Sequence, residues 1–136
     1  MNTETQAISK LFSSFKKEEP VQIDKLPQSG SDRTYYRIYD KQNNSYIATV
    51  NKHVRENETF LYFTKIGQEA GAPVPKILAV DESGVIYIQE DLGNETLLQV
   101  LESKGYTDEV FILFRKSLEA LAKFQIRANE IGRAHV

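Results

Sequence analysis

The stretch Leu26-Pro27-Gln28-Ser29-Gly30-Ser31-Asp32-Arg33-Thr34-Tyr35-Tyr36-Arg37-Ile38-Tyr39 constrains the fold of this chain more than any other. It leaves an apolar run at Pro27, crosses a small polar loop, and enters a run of Thr, Tyr and Ile, residues that suit a pleated, half-buried surface. This pattern reads as two strands joined by a loop of Ser, Gly and Asp, whose backbone N–H groups and hydroxyls can lie against a phosphate. Arg33, just past the glycine, adds a guanidinium able to hold phosphate oxygens bidentately. The loop carries neither G-x-G-x-x-G nor G-x-x-x-x-G-K-[ST], so taken alone it also reads as an ordinary turn.

The hydrophobic period then switches repeatedly along the chain. Residues 3–17 place Ile8, Leu11, Phe12 and Phe15 on one helical face, with Thr3 and Gln6 spaced as a capping box and Pro20 as a stop. Residues 21–26, 34–40 and 45–50 read as a three-stranded meander, with 41–44 as its second turn. From 55 to 70 the period is helical again, with Phe60, Leu61, Phe63 and Thr64 as the apolar side and Gly71 as the end. Residues 76–80 and 85–89 form a second hairpin about 81–84. After Asp91-Leu92-Gly93 the chain becomes helical, with a short helix over 95–103 and a longer one capped by Thr107. Val110, Leu113, Phe114, Ser117, Leu118, Leu121 and Phe124 line one face of that last helix and need a partner surface.

Composition narrows the function classes. A net charge of −2 over 136 residues, without a basic stripe, gives no footprint for nucleic acid or an anionic membrane. The chain has no cysteine, which removes disulfide and thiolate chemistry, and its two histidines, His53 and His135, make a His-rich metal site implausible. No apolar run approaches the roughly 18–20 residues of a membrane span and no signal-peptide core is present, so a cytoplasmic location is expected. His53 lies in a polar loop and reads as a surface residue.

Five strands, a helix after the third, a linker and then helices is the order of a protein-kinase-like N-lobe and the start of its C-lobe. On the segments L-P-Q-S-G-S-D-R-T-Y-Y-R-I (26–38), E-N-E-T-F-L (56–61), A-P-V-P-K-I-L-A-V (72–80) and Y-I-Q-E-D-L-G (87–93), the sequence resembles the aminoglycoside phosphotransferase and choline kinase superfamily. It is most similar to the branch of bacterial kinases acting on cell-wall amino-sugars, and the resemblance covers residues 20–125. The fold it implies is α+β: a five-stranded antiparallel sheet with one inserted helix over 1–91, followed by hinge exit and first C-lobe helices over 92–129.

The resemblance also implies roles. Ser29, Gly30, Ser31, Asp32 and Arg33 would cover the phosphates of ATP, as the glycine-rich loop does in kinases. Glu58 would be the helix glutamate that orients a strand lysine. Gln89, Glu90 and Asp91 would form the hinge, with the Gln89 carbonyl and the Asp91 N–H on the adenine edge and Ile47, Ile77 and Ile88 above the base. One position departs from the kinase pattern: Thr49 stands where a phosphate-binding lysine is expected. Arg33, Arg37 and Lys52 are the candidates to supply that charge, with Arg33 preferred for its place in the loop.

The superfamily's catalytic base and magnesium ligands come from an H-x-D-x-x-x-x-N loop and a later aspartate, and neither histidine here begins such a motif. Residues 131–136, I-G-R-A-H-V, can be encoded by a common short-read sequencing adapter. The expectation is therefore an artefact over 130–136 and a parent that continues into a C-lobe carrying the base, the Mg site and the acceptor pocket. The chain itself would be the inactive ATP-binding part of a small-molecule phosphotransferase acting on a sugar hydroxyl. The alternatives are a non-catalytic kinase-like module that binds nucleotide or a partner, and an unrelated small α+β domain.

Overall fold

The computed structural model describes residues 2–28, 32–71, 74–93, 104–105 and 107–134. In order the elements are α1 (Thr3–Lys16), β1 (Gln22–Lys25), β2 (Thr34–Tyr39), β3 (Ser45–Val50), α2 (Val54–Glu69), β4 (Ile77–Val80), β5 (Ile86–Glu90) and α3 (Asp108–Ala134). The strands form one antiparallel sheet in the order β1-β2-β3-β5-β4, with α2 inserted between β3 and β4. The α+β class and the five-stranded antiparallel sheet expected from the sequence are both present. The expected helix over 95–103 lies outside the described residues. Two compact units divide the chain: Met1–Thr64 with Pro75–Asp91, and Lys65–Val74 with Leu92–Val136.

In the first unit, pleating gives the sheet two unlike faces. Tyr36, Ile38, Ala48, Val50, Ile86 and Ile88 share one face and pack with Ile8 and Phe12 of α1 into the buried core. Tyr35, Arg37, Ile47, Thr49, Tyr87 and Gln89 share the other. Ile88 therefore belongs to the α1 core and not to the expected apolar roof over a base, because it is one residue out of phase with Tyr87 and Gln89.

Local chemistry fixes the ends of these elements. Helix α1 is capped by Asn2, whose Oδ1 accepts from the Thr5 N–H at 2.8 Å; the Thr3–Gln6 capping box is not used. It ends at Lys17, which takes a left-handed φ of 61° three residues before Pro20. The Tyr36 hydroxyl donates to the Glu4 carboxylate and ties α1 to β2. Burial, reinforced by that carboxylate, pushes the Tyr36 phenol up to about 12. The β2–β3 turn is built on Asp40, which accepts from the N–H groups of Gln42 and Asn44 at 2.9 and 2.8 Å and from the Tyr46 hydroxyl at 3.0 Å. Burial alone would raise the Asp40 pKa, but these donors together outweigh it and hold the carboxyl below its ordinary value.

Helix α2 meets the sheet through a polar staple and through only part of the expected side, with Phe60 stacked on Tyr87 and Thr64 buried. Phe63 and Tyr62 are exposed, whereas Asn57 is wholly buried. The Asn57 Nδ2 donates to the carbonyls of Asn51 at 2.8 Å and Gly84 at 2.7 Å, and its Oδ1 accepts from Asn51 Nδ2 at 3.1 Å. Gly84 has φ +75°, and a Cβ there would meet Val54 Cγ1 at 2.9 Å, so the β4–β5 turn needs glycine to approach α2 this closely.

In the second unit, Gly71 (φ 77°) closes α2 with its N–H donating to Gln68 O at 3.1 Å. Thr107 caps α3 as expected, its Oγ1 accepting from the Val110 N–H at 3.3 Å. Along α3 the face assigned to a core is largely open: Val110 is buried, but Leu118 and Leu121 are 66% and 53% exposed. Among the described residues no helix is long and apolar enough to cross a membrane.

Two predictions follow from the first unit. Asn57→Ala orphans Asn51 Nδ2 and the carbonyls that the Asn57 side chain serves, and should cost about 3 kcal/mol in urea unfolding, against less than about 0.5 kcal/mol for exposed Glu58→Ala. Equal midpoints for the two variants would contradict the staple. The Asp40 pKa is depressed in the fold, so its stabilisation is complete above the unfolded value of about 3.9 and is lost as pH falls through the lower native value. Asp40→Asn should accordingly lower stability at pH 7 and flatten its pH dependence below about pH 4; a slope as steep as that of the parent chain would contradict this assignment.

Candidate functional site

The face of the sheet opposite α1 carries Tyr35, Arg37, Thr49, Tyr87 and Gln89. Thr49 and Tyr87 are register partners on the neighbouring strands β3 and β5, and both are buried. Phe60 of α2 stacks on Tyr87 with ring centroids 5.5 Å apart. The Arg33 guanidinium lies over the Phe60 ring at 5.9 Å and reaches Glu56 at 4.0 Å. Together Arg33, Arg55, Glu56, Thr59 and Phe60 line an open hollow of about 500 Å³.

Electrostatics link the arginine to the position expected to carry lysine. Burial raises the Tyr87 pKa, while the Thr49 hydroxyl and the Arg33 charge oppose that rise. The Arg33 charge that acts on Tyr87 comes from the loop before β2 and not from β3. The Thr49 hydroxyl lies beside the Tyr87 phenol without a well-aligned hydrogen bond. Gln89 Oε1, further along the same face, is buried with no hydrogen-bond partner among the described residues.

At the other end of this face is a buried ion pair. Arg37 Nε donates to Asp91 Oδ2 at 2.7 Å and Arg37 Nη2 to Asp91 Oδ1 at 3.2 Å, a two-pronged contact between residues 54 apart in sequence. The Ser45 hydroxyl donates to the same Asp91 Oδ2 at 2.7 Å. The side chains of Arg37 and Asp91 are only 11% and 5% exposed. The Asp91 carboxylate raises the Arg37 pKa still further, against the opposing effect of burial.

Set beside the sequence-based expectations, some residues converge and others do not. Ser29, Gly30 and Ser31 lie outside the described residues. Asp32 is exposed and pairs with the His53 ring nitrogen at 3.2 Å, so His53 sits at the surface as expected but in contact with the loop. Arg33 occupies the hollow. Glu58 is exposed on α2, and the helix acid that reaches Arg33 is Glu56, two residues earlier; 100° of rotation per residue puts the two glutamates on different sides of the helix. Arg37 is committed to Asp91 and Lys52 is exposed, whereas Arg33 lies over Phe60, which stacks on the Thr49 register partner Tyr87.

The hinge expectation changes in detail. The Asn51 N–H donates to Val85 O at 2.9 Å, and alternation along the antiparallel ladder makes Thr49–Tyr87 and Ile47–Gln89 the next hydrogen-bonded pairs. The Gln89 carbonyl is thus used inside the sheet by Ile47 and is not offered to an adenine edge. The Glu90 N–H is likewise used, donating to Lys76 O at 2.9 Å. Main chain that a base could pair with begins at the Glu90 carbonyl, where β5 leaves the sheet. Glu90 points its side chain to the α1 face, in register with Tyr46.

Sequence reasoning missed the Arg37–Asp91 pair and the Asn57 staple. The staple left a signal, because Asn57, Phe60 and Thr64 stand at the i, i+3, i+7 spacing of a buried helical face. The ion pair left none, since nothing in a sequence couples a residue of β2 to the residue just beyond β5 before the sheet order is known. No family model matches the chain, and no curated protein matches its sequence.

Proposed function

We propose that this chain is the nucleotide-binding part of an ATP-dependent small-molecule phosphotransferase whose parent phosphorylates a sugar hydroxyl. The observation that carries the reading is the arginine held over Phe60, the ring that stacks on Tyr87, the register partner of Thr49. Phosphoryl transfer depends mainly on positioned positive charge around the β- and γ-phosphates. Arg33 supplies such charge from the loop between β1 and β2, with Glu56 of α2 as its carboxylate partner. In kinases the equivalent pairing is between a strand lysine and a helix glutamate.

In this reading the nucleotide phosphates lie against loop residues 29–33 and the hollow lined by Arg33 and Arg55. The base lies toward Ile47 and Gln89, and the main chain from Glu90 onward borders it. The acceptor sugar, the catalytic base and the Mg ligands belong to the C-lobe of the parent, and the chain alone is inactive. The resemblance of residues 72–80 and 87–93 to the kinase superfamily and the α+β order of elements support the same assignment. A non-catalytic, nucleotide-binding module is the second reading. It is favoured by β3, which carries no lysine and holds Thr49 wholly buried.

Both readings require that Arg33 bind phosphate. In equilibrium titrations with a fluorescent ATP analogue, Arg33→Met should weaken binding roughly tenfold, about 1.4 kcal/mol, while Lys52→Met should leave it within about twofold. Equal affinities for Arg33→Met and the parent chain would remove Arg33 from the site.

A further inference from the structure

The geometry points to Arg37 and Ser45 as positioning residues that fix the exit of β5 through the Asp91 carboxylate. This inference rests on the proposed nucleotide reading, and concerns how the base, rather than the phosphates, is recognised.

Three neighbouring strands contribute. Arg37 is in β2, Ser45 begins β3, and Asp91 is the first residue beyond β5. Register places Arg37 opposite Ile47 and Ile47 opposite Gln89, so the guanidinium crosses β3 on one face to reach Asp91. The carboxylate takes both prongs of the guanidinium and the serine hydroxyl, and one of its oxygens accepts two bonds of 2.7 Å. Strand ends ordinarily fray, because the last residues lose ladder partners on one side. Here the ladder with β3 ends at Glu90, and the next residue is anchored by its side chain instead.

Stability alone does not account for this arrangement. A buried ion pair is often replaceable by apolar residues at no loss, because desolvation offsets the Coulomb attraction. Its distinct contribution is geometric, since a forked guanidinium and a hydroxyl together define where a carboxylate lies, and with it the adjoining peptide. The peptide so fixed joins Glu90 to Asp91, at the point where β5 leaves the sheet. Adenine pairing needs main chain held at hydrogen-bond distance from the ring edge, and displacement of about 1 Å is enough to lose it. The Arg37–Ser45–Asp91 clasp therefore sets base affinity without touching the base.

The test compares ATP with inorganic tripolyphosphate, which carries the phosphates and lacks the base. The full chain is used with the double variant Arg37→Met/Asp91→Leu, which removes the clasp and leaves no buried charge unpaired, and with Ser45→Ala, which removes a single bond. The double variant should keep the parental melting temperature and tripolyphosphate affinity and lose roughly tenfold in ATP affinity, and Ser45→Ala should lose roughly threefold. If the double variant does not fold, Ser45→Ala decides by the same comparison. Parental ATP affinity in the folded variants would overturn the clasp while leaving the nucleotide reading intact. A parent chain that binds ATP no better than tripolyphosphate would overturn base recognition, and the clasp's role with it.

Discussion

The register of β3 between β2 and β5 is the constraint on which the rest of the first unit depends. Side chains alternate along a strand, so a one-residue slip would exchange Ala48 and Val50 for Ile47 and Thr49 in the α1 core. It would also carry Thr49 away from Tyr87 and break the alignment that lets Arg37 reach Asp91. The register is pinned at both ends of β3 by polar groups. Asp40 organises the turn that enters it, and Asn51 with Asn57 secures the exit toward α2. Apolar packing on α1 then makes one face a core and leaves the other for charge.

Much of this was legible from the chain. The bounds of β3 agree with the sequence reading residue for residue, because Ser45–Val50 is a short β-prone run that begins directly after the polar turn 41–44 and is followed by Asn51 and Lys52. Gly71 and Thr107 act as helix end and helix cap for the reasons their residue types suggest. The partition of faces was less legible. Ile88 and Ile47 look alike in sequence, yet one is core and the other faces Gln89, because only pairing fixes phase. Phe63 and Thr64 are neighbours in the face read from the sequence, yet only Thr64 is buried, because the stripe of α2 that meets the sheet is centred on Asn57, a polar residue outside the apolar pattern.

The candidate site shows the same division. Arg33 could be selected by residue type and loop position, and the structure sets it over Phe60, the ring that stacks on Tyr87. The choice between Glu56 and Glu58 depended on the rotation of α2 about its axis, which the staple at Asn57 sets. The fate of Arg37 depended on strand order, and the sheet uses it as an internal tie to Asp91 rather than as a ligand for phosphate. Cations of equal formal charge thus serve different ends according to depth: Lys52 in solvent, Arg33 at the rim, Arg37 inside.

An arginine at the rim and an anchored strand end border one face of the sheet, and we propose that this face binds a nucleoside triphosphate. Amide NMR shifts of the isotope-labelled chain, followed during titration with ATP, test this most directly, because they register even millimolar affinities residue by residue. Saturable shifts are expected at Arg33, Ile47, Glu90 and Asp91, with the amides of α1 unmoved. Shifts confined to α1 and β1, or a spectrum unchanged at millimolar ATP, would contradict it.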